Sequence, residues 1–409
     1  MWSLRRNTWL TTLSMITPKD IQEILNGYDK NNLTIGVLGG HSALDVARGA
    51  KKHGFRTVAV CQEGRAKTFS QYYKTRDKKG CVDEVIMVPK FSDITREDVQ
   101  EQLRSLNTIF IHNRYFWVYF NDFADIEERF RVPIFGLRQG VKLEERDQPL
   151  NQYHLLEKAG IRMPKIIRKS NSGLTDNELK EIFDAHFVMN MGGPLIVKVN
   201  EAERSYERAF FVFTTAMNFF ETAEKWVAAG KITQEGLDNA VIEEFIIGAQ
   251  INLNFFYSEL SGELELMGTD ARRQTSLDGF LRLDAKTQES LLMHNYKPSM
   301  IETGHFAVTM KESLVEKAYE IGEKFVKTMK DMVKPGMIGP FALQGAVAAY
   351  EGKEEFVIFD VSMRIPGSPG TGFTPYSGYM YGDSMSYGER IAMEVKNAAE
   401  SDQLERILT

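Results

Sequence analysis

The stretch TIGVLGGHSALDVARGAKKHG, residues 34–54, decides the fold of the N-terminal part of the chain. Its first six residues form an apolar run that ends in glycine, and residues 42–53 then show the apolar spacing of a helix that Gly54 closes. This order of strand, turn and helix opens a parallel α/β sheet. The turn GGHS, residues 39–42, therefore lies where such sheets bind ligands, at the amino end of a helix.

Further apolar runs continue the alternation of strands and helices. They span residues 57–61, 84–88, 109–112 and 134–136. Strands separated by helices predict a doubly wound parallel sheet, which is an α/β fold.

The pattern of predicted elements changes after the polar segment near residue 141. Helices are predicted at residues 151–160, 215–229, 312–332 and 386–400, and they are mixed with short strands. The predicted strands span residues 195–199, 240–244, 251–257, 264–268, 342–350 and 355–362. This mixture predicts α+β lobes. We expect an N-terminal extension at residues 1–15, a Rossmann-like domain at 16–140, and lobes at 141–245 and 246–409.

The composition is that of a folded protein with no general attraction to polyanions. Of the 409 residues, 43% are hydrophobic and 26% are charged, which excludes a mainly disordered chain. The formal charge of -6 gives no pull toward nucleic acid or an anionic membrane, so we expect neither as a partner. Any phosphate site must therefore be built from local groups.

Cysteine usage and hydropathy predict a cytoplasmic protein without a membrane span. Cys61 and Cys81 share no metal-ligand spacing with the histidines and indicate no disulfide framework. The most apolar stretch, residues 109–120, is too short for a span. The opening MWSLRRNTWLTTLSM lacks the apolar region and cleavage site of a signal peptide, so we expect an extension, with Met15 as an alternative start.

Two segments favour a nucleotide site. Lys198 ends the apolar run PLIVKV, and a buried lysine there is costly unless it meets an anion such as a phosphate. The alternative is a lysine at a strand edge that reaches water. In AVIEEFIIG, Glu243, Glu244 and Phe245 end a strand, where backbone groups can pair with an adenine and a carboxylate can accept ribose hydroxyls. Adjacent glutamates are also common on solvated surfaces.

A pair of strands favours a metal site. Gln344 in FALQGAV and Asp360 in FVIFDVSMR are flanked by apolar residues on consecutive strands. If the two side chains face each other, their oxygens would hold magnesium against ATP phosphates. Asp360 is an awkward carboxylate to leave unpaired there. Arg364 follows at the strand end, where it could neutralise a transferred phosphoryl group. The alternative is an ordinary amphipathic hairpin.

The turn GGHS is a weaker signal for a phosphate site. Its glycines allow a ligand to approach the backbone, and His41 and Ser42 can add hydrogen bonds. The G-x-G-x-x-G spacing of dinucleotide binders is missing from the sequence, as are a Walker loop, a nucleophile elbow, an HExxH motif and a CxxC pair.

Several stretches together resemble the archaeal synthetase family that makes formaminoimidazole carboxamide ribonucleotide (FAICAR), a branch of the ATP-grasp superfamily. They are TIGVLGGHSALDVARGAKKHGF, VPIFGLR, LLEKAGIRMPK, IEEFIIGAQINLNFFYS, LDGFLRL, KPGMIGPFALQ and PYSGYMYGDSMSYGERIAMEV. The resemblance begins near Ile16 and implies a pre-ATP-grasp domain followed by a two-lobed ATP-grasp domain. It also implies a homo-oligomer.

The resemblance implies an ADP-forming ligase of purine (IMP) biosynthesis. In the family, ATP phosphorylates formate to formyl phosphate, and the amine of aminoimidazole carboxamide ribonucleotide (AICAR) displaces the phosphate. Formate and AICAR would be the substrates, with ATP and Mg²⁺ or Mn²⁺ as cofactors. The implied residues are His41, Ser42, Tyr115 and Ser276 for the ribonucleotide; Lys198, Glu243, Glu244 and Phe245 for ATP; Gln344 and Asp360 for the metal; and Lys198 and Arg364 for catalysis.

The sequence departs from the family pattern at several of these places. Where the family has a basic, glycine-rich loop over the triphosphate, this chain has NEAERSYERAFF from residue 200, in which glutamates would repel phosphate and two arginines could compensate. Tyr115 occupies a position where the family has a small serine, Ser276 one where it has an asparagine, and Asp360 one where it has a glutamate. The segment IPGSPGTG carries an insertion and two prolines.

Three hypotheses fit these features. The first is a FAICAR synthetase or a close variant. The second is an ATP-grasp ligase with a different carboxylate or amine substrate, which Tyr115 and Ser276 favour. The third is a catalytically silent paralogue that binds nucleotide, which the acidic loop favours.

Overall fold

The computed structural model describes residues 15–120, 122–199, 210–294, 296, 298–350, 352–367 and 369–409. The expected extension before Met15 and the acidic segment NEAERSYER lie outside the described residues. No helix in the described ranges combines the length and apolar character that crossing a bilayer requires.

The strands of the described residues form three sheets. In chain order they are β1 Thr34–Leu38, β2 Arg56–Gln62, β3 Glu84–Val88, β4 Thr108–Ile111, β5 Ile134–Phe135, β6 Ile166–Arg168, β7 Leu195–Lys198, β8 Phe210–Phe213, β9 Val241–Glu244, β10 Ala249–Ser258, β11 Glu263–Ser276, β12 Met300–Ala307, β13 Gly339–Tyr350 and β14 Lys353–Ser362.

The helices lie between and after these strands. They are α1 Pro18–Asn26, α2 Ala43–Lys52, α3 Glu97–Ser105, α4 Tyr115–Val118, α5 Gly140–Leu143, α6 Gln152–Lys158, α7 Asp176–Asp184, α8 Ala216–Ala228, α9 Gln234–Asp238, α10 Leu277–Phe280, α11 Ala285–Met293, α12 Val315–Met332, α13 Tyr376–Tyr381 and α14 Tyr387–Glu400. The first three residues of the helix expected at 312–332 form a separate 3₁₀ turn.

The N-terminal sheet is parallel, with the strand order β3-β2-β1-β4-β5. The doubly wound sheet predicted from the sequence is therefore confirmed. Every residue of β1 is buried, which places this strand in the middle of the sheet. Gly36 makes the tight fit possible, because a Cβ atom there would lie 2.5 Å from the Thr108 side chain.

The second sheet is antiparallel and runs in the order β12-β11-β10-β13-β14. One face is apolar: Phe255 of β10 and Phe341 of β13 stack 5.3 Å apart, and Phe325 of α12 packs against Phe341. Since side chains alternate between the faces of a sheet, the intervening residues point to the opposite face. That opposite face carries polar residues and forms the floor of the candidate site.

The third sheet is smaller, with the order β6-β9-β7-β8. Helices α7 and α8 cover it through an aromatic core in which Phe183, Phe213 and Phe219 contact one another. The two antiparallel sheets follow the parallel sheet along the chain, as the α+β lobes predicted from the sequence require. The boundaries proposed at residues 140 and 245 stay predictions.

The C-terminal helix α14 returns to the N-terminal domain. It packs on α2 so closely that a Cβ atom on Gly49 would lie 2.1 Å from the backbone of Gly388. The amide of Gly388 donates to the Asp45 carboxylate at 2.9 Å. Beyond α14, main-chain hydrogen bonds of 3.0 and 2.8 Å join Ile134 of β5 to Thr409. The Tyr387 hydroxyl of α14 lies 3.2 and 3.0 Å from the carbonyl oxygens of Phe255 and Phe341, so this helix joins the larger antiparallel sheet to the parallel sheet.

Candidate active site

A row of polar residues crosses the antiparallel sheet on its polar face. In the strand register, Asn252 pairs with Asp270 on one side and with Gln344 on the other, and Gln344 pairs with Asp360. Because laterally paired residues share a face, these four side chains form one oxygen-rich line. The structure thus brings Gln344 and Asp360 together, as the hairpin reading of the sequence requires.

A first cavity lies between the two antiparallel sheets and is open to solvent. We call it the nucleotide cavity, after the residues expected to bind ATP. Apolar residues, including Ile196, Leu277 and Met300, form much of its wall. The four residues expected to bind ATP all line it: Lys198, Glu243, Glu244 and Phe245.

Lys198 is buried in this cavity wall and ion-paired. Only 5% of it is exposed, so the alternative of a lysine reaching water is wrong. Its Nζ atom lies 2.6 Å from Oε1 of Glu243 and donates to the carbonyl of Phe359 at 2.8 Å. Burial lowers the pKa of Lys198, while the Glu243 carboxylate opposes this shift.

A chain of contacts leads from this ion pair to Asp360. The Tyr153 hydroxyl donates to Oε2 of Glu243 at 2.6 Å, and Nε of Arg146 donates to the Tyr153 oxygen at 3.1 Å. Arg146 also donates from Nη2 to Oδ1 of Asp360 at 2.8 Å. The second oxygen of Asp360 lies 3.7 Å from Nη2 of Arg272. Asp360 is therefore paired, as its apolar flanks required, but its partners among the described residues are two arginines.

A second cavity, the polar cavity, lies between the antiparallel sheet and the turn after β1. It is lined by His41, Arg114, Arg364 and the polar row of the sheet. Arg364 is buried and its Nη2 atom lies 3.3 Å from Oε2 of Glu144. Burial, helped by Arg364 and Arg114, lowers the pKa of His41 to about 3, so this imidazole is neutral at pH 7.

The other residues expected to bind the ribonucleotide are placed differently. The Ser42 hydroxyl lies 3.4 Å from Nδ1 of His41 but donates to the carbonyl of Pro366 at 2.9 Å. The Tyr115 ring packs with Phe91 and lies against Gly40, where a Cβ atom would be 1.9 Å from it.

Ser276 lies at the far end of β11. Its hydroxyl is 2.9 Å from that of Ser299. Ser42, Tyr115 and Ser276 line neither cavity as the described residues form them. The structure therefore brings His41 to the polar cavity but not Tyr115 or Ser276.

The two cavities adjoin. Arg146, Phe210, Arg272 and Asp360 line both, so the nucleotide cavity and the polar cavity share a border of charged groups. A phosphoryl group at this border would be within reach of ligands in both cavities. The arrangement suits a reaction in which one bound molecule activates another.

Comparison with known proteins agrees with this architecture. Residues 35–167 match the family described as "Protein of unknown function (DUF1246)", and residues 218–409 match "Domain of unknown function (DUF1297)". Over 394 residues the chain is 36% identical to the 5-formaminoimidazole-4-carboxamide-1-(beta)-D-ribofuranosyl 5'-monophosphate synthetase of Methanobrevibacter smithii, which covers 96% of this chain and 98% of the relative. The chain belongs to the FAICAR synthetase family.

Other FAICAR synthetases and solved structures are similar to the chain over most of its length. The synthetase of Methanothermobacter thermautotrophicus is 35% identical and covers 97% of this chain and all of the relative. The crystal structure of an IMP biosynthesis protein, PurP, from Thermococcus kodakaraensis is 25% identical, has a TM-score of 0.63, and covers 92% of this chain and all of its own.

A more distant neighbour shares the fold alone. The N5-carboxyaminoimidazole synthetase of Staphylococcus aureus complexed with ADP is 14% identical and has a TM-score of 0.57, with 90% of this chain and 79% of its own covered. The ATP-grasp architecture expected of a FAICAR synthetase is confirmed by these neighbours together with the sheets described above.

Sequence reasoning missed several residues of the site. Arg146 lies in the polar segment between the domains, and Tyr153 lies in the helix predicted at residues 151–160, whose apolar spacing gave no sign of a site. Arg272 lies in the second half of β11, and the predicted strand ended at residue 268 because the following residues, TDARRQTS, are almost all polar. Glu302 and His305 lie on β12, whose polar composition concealed a strand.

Proposed function

We propose that this protein is an ATP-dependent ligase that activates formate by phosphorylation and joins it to the amine of AICAR, giving FAICAR. The shared border of the two cavities carries this proposal. A triphosphate in the nucleotide cavity would end at Asp360 and Arg146, next to the cavity in which His41 would face the ribonucleotide. Family membership supports the same reaction.

The chemistry needs two steps at that border. A formate oxygen attacks the γ-phosphorus of ATP, which forms formyl phosphate and releases ADP. The amine nitrogen of AICAR then attacks the formyl carbon, the C–O bond to phosphate breaks, and the nitrogen loses a proton. Phosphorylation supplies the leaving group that formate lacks, so the protein contributes mainly positioning and charge neutralisation.

The residues of the nucleotide cavity take the ATP roles. Lys198 would turn from Glu243 toward a phosphate, since a buried ammonium binds the group with the larger negative charge. Glu244 and Phe245 stand at the end of β9, where the chain passes to the second antiparallel sheet and where an adenine and ribose would meet the backbone. Arg364 would neutralise charge on the transferred phosphoryl group from the polar cavity.

A divalent ion fits next to Gln344. The Oε1 atom of Gln344 is buried and has no hydrogen-bond partner among the described residues, while the amide nitrogen of Gln344 donates to the Ser362 hydroxyl at 2.8 Å. Gln344 and Asp360 would hold Mg²⁺ or Mn²⁺, which supplies charge neutralisation for the triphosphate. The arginines beside Asp360 offset its charge and would share its oxygens with the ion.

Residues around the turn after β1 take the ribonucleotide roles. His41 lines the polar cavity and would hydrogen-bond as a neutral imidazole, with Ser42 beside it. Tyr115 and Ser276 would approach the ribonucleotide only if side chains rearrange. We also propose a cytoplasmic homo-oligomer, in line with the family resemblance.

The test is ADP release by purified protein with ATP and Mg²⁺. Release that requires both formate and AICAR is the expected result. Asp360→Asn should remove this release and leave AICAR binding intact, because Asp360 lies at the phosphate end of the site; Glu355→Gln, on the outer part of the same strand, is the control. ADP release that requires AICAR and an acid other than formate would show that this acid, and not formate, is the carboxylate substrate. Nucleotide binding without any turnover would overturn it in favour of a silent paralogue.

One observation favours a ligase with a changed amine substrate as the second candidate. The ring of Tyr115 occupies the space against Gly40 at the helix terminus, which is where a phosphate of a ribonucleotide would be expected to bind. Turnover with formate and an amine that lacks the ribose phosphate, but not with AICAR, would establish this alternative.

A further inference from the structure

Two asparagines on β10 face the polar cavity with the same orientation. Nδ2 of Asn252 donates to Oδ2 of Asp270 at 3.0 Å, and Nδ2 of Asn254 donates to Oδ1 of the same carboxylate at 2.6 Å. The asparagines are 3% and 1% exposed, and both line the polar cavity. In the described part of the chain, neither Oδ1 atom has a hydrogen-bond partner.

Asp270 dictates this orientation. It is fully buried, and an ionised carboxylate can only accept hydrogen bonds, so each amide must turn its NH₂ group toward it. Burial opposes the charge of Asp270, but hydrogen bonds from His305, Asn254 and Asn252 outweigh it and hold the pKa below its usual range. The amide oxygens are therefore fixed on the side away from Asp270.

His305 completes the support. Its Nδ1 atom hydrogen-bonds Oδ2 of Asp270, and its Nε2 atom lies 2.9 Å from Oε1 of Glu302. Both ring nitrogens face carboxylate oxygens, so both must carry protons and the ring is an imidazolium. Arg272 lies on the same wall, with Nε 3.1 Å from Oε2 of Glu302.

Unpartnered buried oxygens point to the chemistry of the missing ligand. A buried acceptor without a partner costs free energy, and a ligand that donates to it recovers that cost. A second metal ion is a poor candidate here, because the two unpartnered oxygens belong to neutral amides and, unlike at Asp360, supply no negative charge against the His305 imidazolium and the Arg272 guanidinium. A neutral N–H donor meets the oxygens without this repulsion.

We infer that Asn252 and Asn254 bind the N–H groups of the amine substrate through their side-chain oxygens and so position it for attack on the activated carboxylate. The inference rests on the proposed function for the identity of that substrate. AICAR carries N–H donors on its amine and on the adjacent carboxamide, so it offers donors for both unpartnered oxygens. The asparagines are positioning residues and take no proton.

A ligand comparison in the wild-type protein tests the inference first. Calorimetry would measure AICAR against two analogues, one with a carboxylate in place of the carboxamide and one without the amine. We expect each analogue to bind about 5-fold to 100-fold more weakly, as for a buried acceptor that loses its donor. Equal affinity for AICAR and both analogues would overturn the inference. This measurement needs neither a variant nor turnover.

Variants then assign the effect to the asparagines. In Asn254→Ala and Asn252→Ala the preference for AICAR over the analogues should collapse, and the KM for AICAR should rise while the KM for ATP stays constant. Thr269→Val is the control, because the Thr269 hydroxyl donates to the carbonyl of Val308, just after β12, and not to the neighbouring Asp270. Unchanged ligand preference in both folded alanine variants would overturn the inference, as would a preference restored by raising the Mg²⁺ concentration.

The outcomes separate this inference from the proposed function. A wild-type protein that releases no ADP with formate and AICAR but still discriminates the analogues would refute the ligase and keep the donor site. A wild-type protein that releases ADP with formate and AICAR but binds AICAR and both analogues equally well would confirm the ligase and refute the donor site.

Discussion

The guanidinium of Arg146 lies 2.8 Å from the carboxylate of Asp360 and is buried at the border of the two cavities. The same guanidinium reaches the Tyr153 hydroxyl, which holds Glu243 beside Lys198. The ion pair of Lys198 with Glu243 and the oxygen row of the larger antiparallel sheet are thus connected through one side chain. We expect a triphosphate that binds beside Lys198 to change the contacts of Asp360, and one that binds beside Asp360 to change those of Lys198.

Arg146→Lys should therefore damage catalysis more than stability. A lysine keeps the charge but is a point donor and cannot serve Tyr153 and Asp360 at once. We expect a loss in kcat of about 100-fold, equivalent to about 2.7 kcal/mol in the barrier, with AICAR affinity unchanged. ADP release and calorimetry would measure the two effects. Arg162→Lys, whose ion pair with Glu355 is exposed, is the control. Equal losses in both variants would contradict the connecting role.

Lys198→Ala should abolish ATP binding and also destabilise the fold. Glu243 would remain buried with Tyr153 as a partner but without its cation, a change that typically costs about 3 to 5 kcal/mol. The double variant Lys198→Met, Glu243→Gln should regain much of the stability and none of the ATP binding. Denaturant unfolding and nucleotide calorimetry would separate these effects. ATP affinity that survives in either protein would show that Lys198 is structural only.

Stability should fall at alkaline pH through His305. Burial opposes its charge, but Asp270 and Glu302 raise its pKa to about 9 from 6.5. A raised folded-state pKa stabilises the protein fully below about pH 6.5, and the contribution is lost as the pH rises through about 9. Its size is on the order of 2 to 3 kcal/mol.

Other titratable and charged groups surround His305, and a variant without the imidazole provides the control. Besides the two carboxylates, His305 is faced by Arg272 from β11 and by His41 from the turn after β1, and the latter is neutral over this range. Unfolding free energies at pH 6.5 and 10 would be compared for the wild type and His305→Gln. The variant should lose most of the difference. The same pH dependence in both proteins would assign it to other groups.

Tyr115→Ser should open the turn after β1. Removing the ring leaves space beside Gly40, at a cost in stability of about 2 to 4 kcal/mol from lost aromatic packing. AICAR affinity should increase about tenfold if that space accepts the phosphate of the ribonucleotide. Tyr119→Ser removes a ring from the same aromatic group without touching the turn and should weaken stability only. Lower AICAR affinity in Tyr115→Ser would show that the ring itself contacts substrate.

Much of the fold was predictable because it depends on local patterns. The strand and helix of residues 34–54 follow from apolar spacing and a glycine turn, and the pairing of Gln344 with Asp360 follows from a hairpin with a short connection. Strand β12 was missed because its polar residues Glu302 and His305 break the apolar alternation. They are polar since they line a cavity.

The contacts within the site were less predictable. Arg146 and Asp360 are 214 residues apart in sequence, and Tyr153 and Glu243 are 90 apart. No local pattern encodes such pairs. The sequence indicated that Asp360 needed a partner, and a metal was a reasonable choice, but a distant arginine satisfied part of the same requirement. Residue types suggested the chemistry, whereas tertiary contacts determined which charges neutralise one another.

The contact between Gly49 and Gly388 bears on how the enzyme opens. Two helices whose backbones touch cannot slide or separate without losing that fit. Since Tyr387 of α14 also contacts the larger antiparallel sheet, we expect this sheet and the parallel sheet to move together. We therefore expect any opening that admits ATP to be a movement of the small sheet, β6 to β9, with its hinge in the segment after Glu244. The proposed amine site would then keep its shape while the nucleotide exchanges.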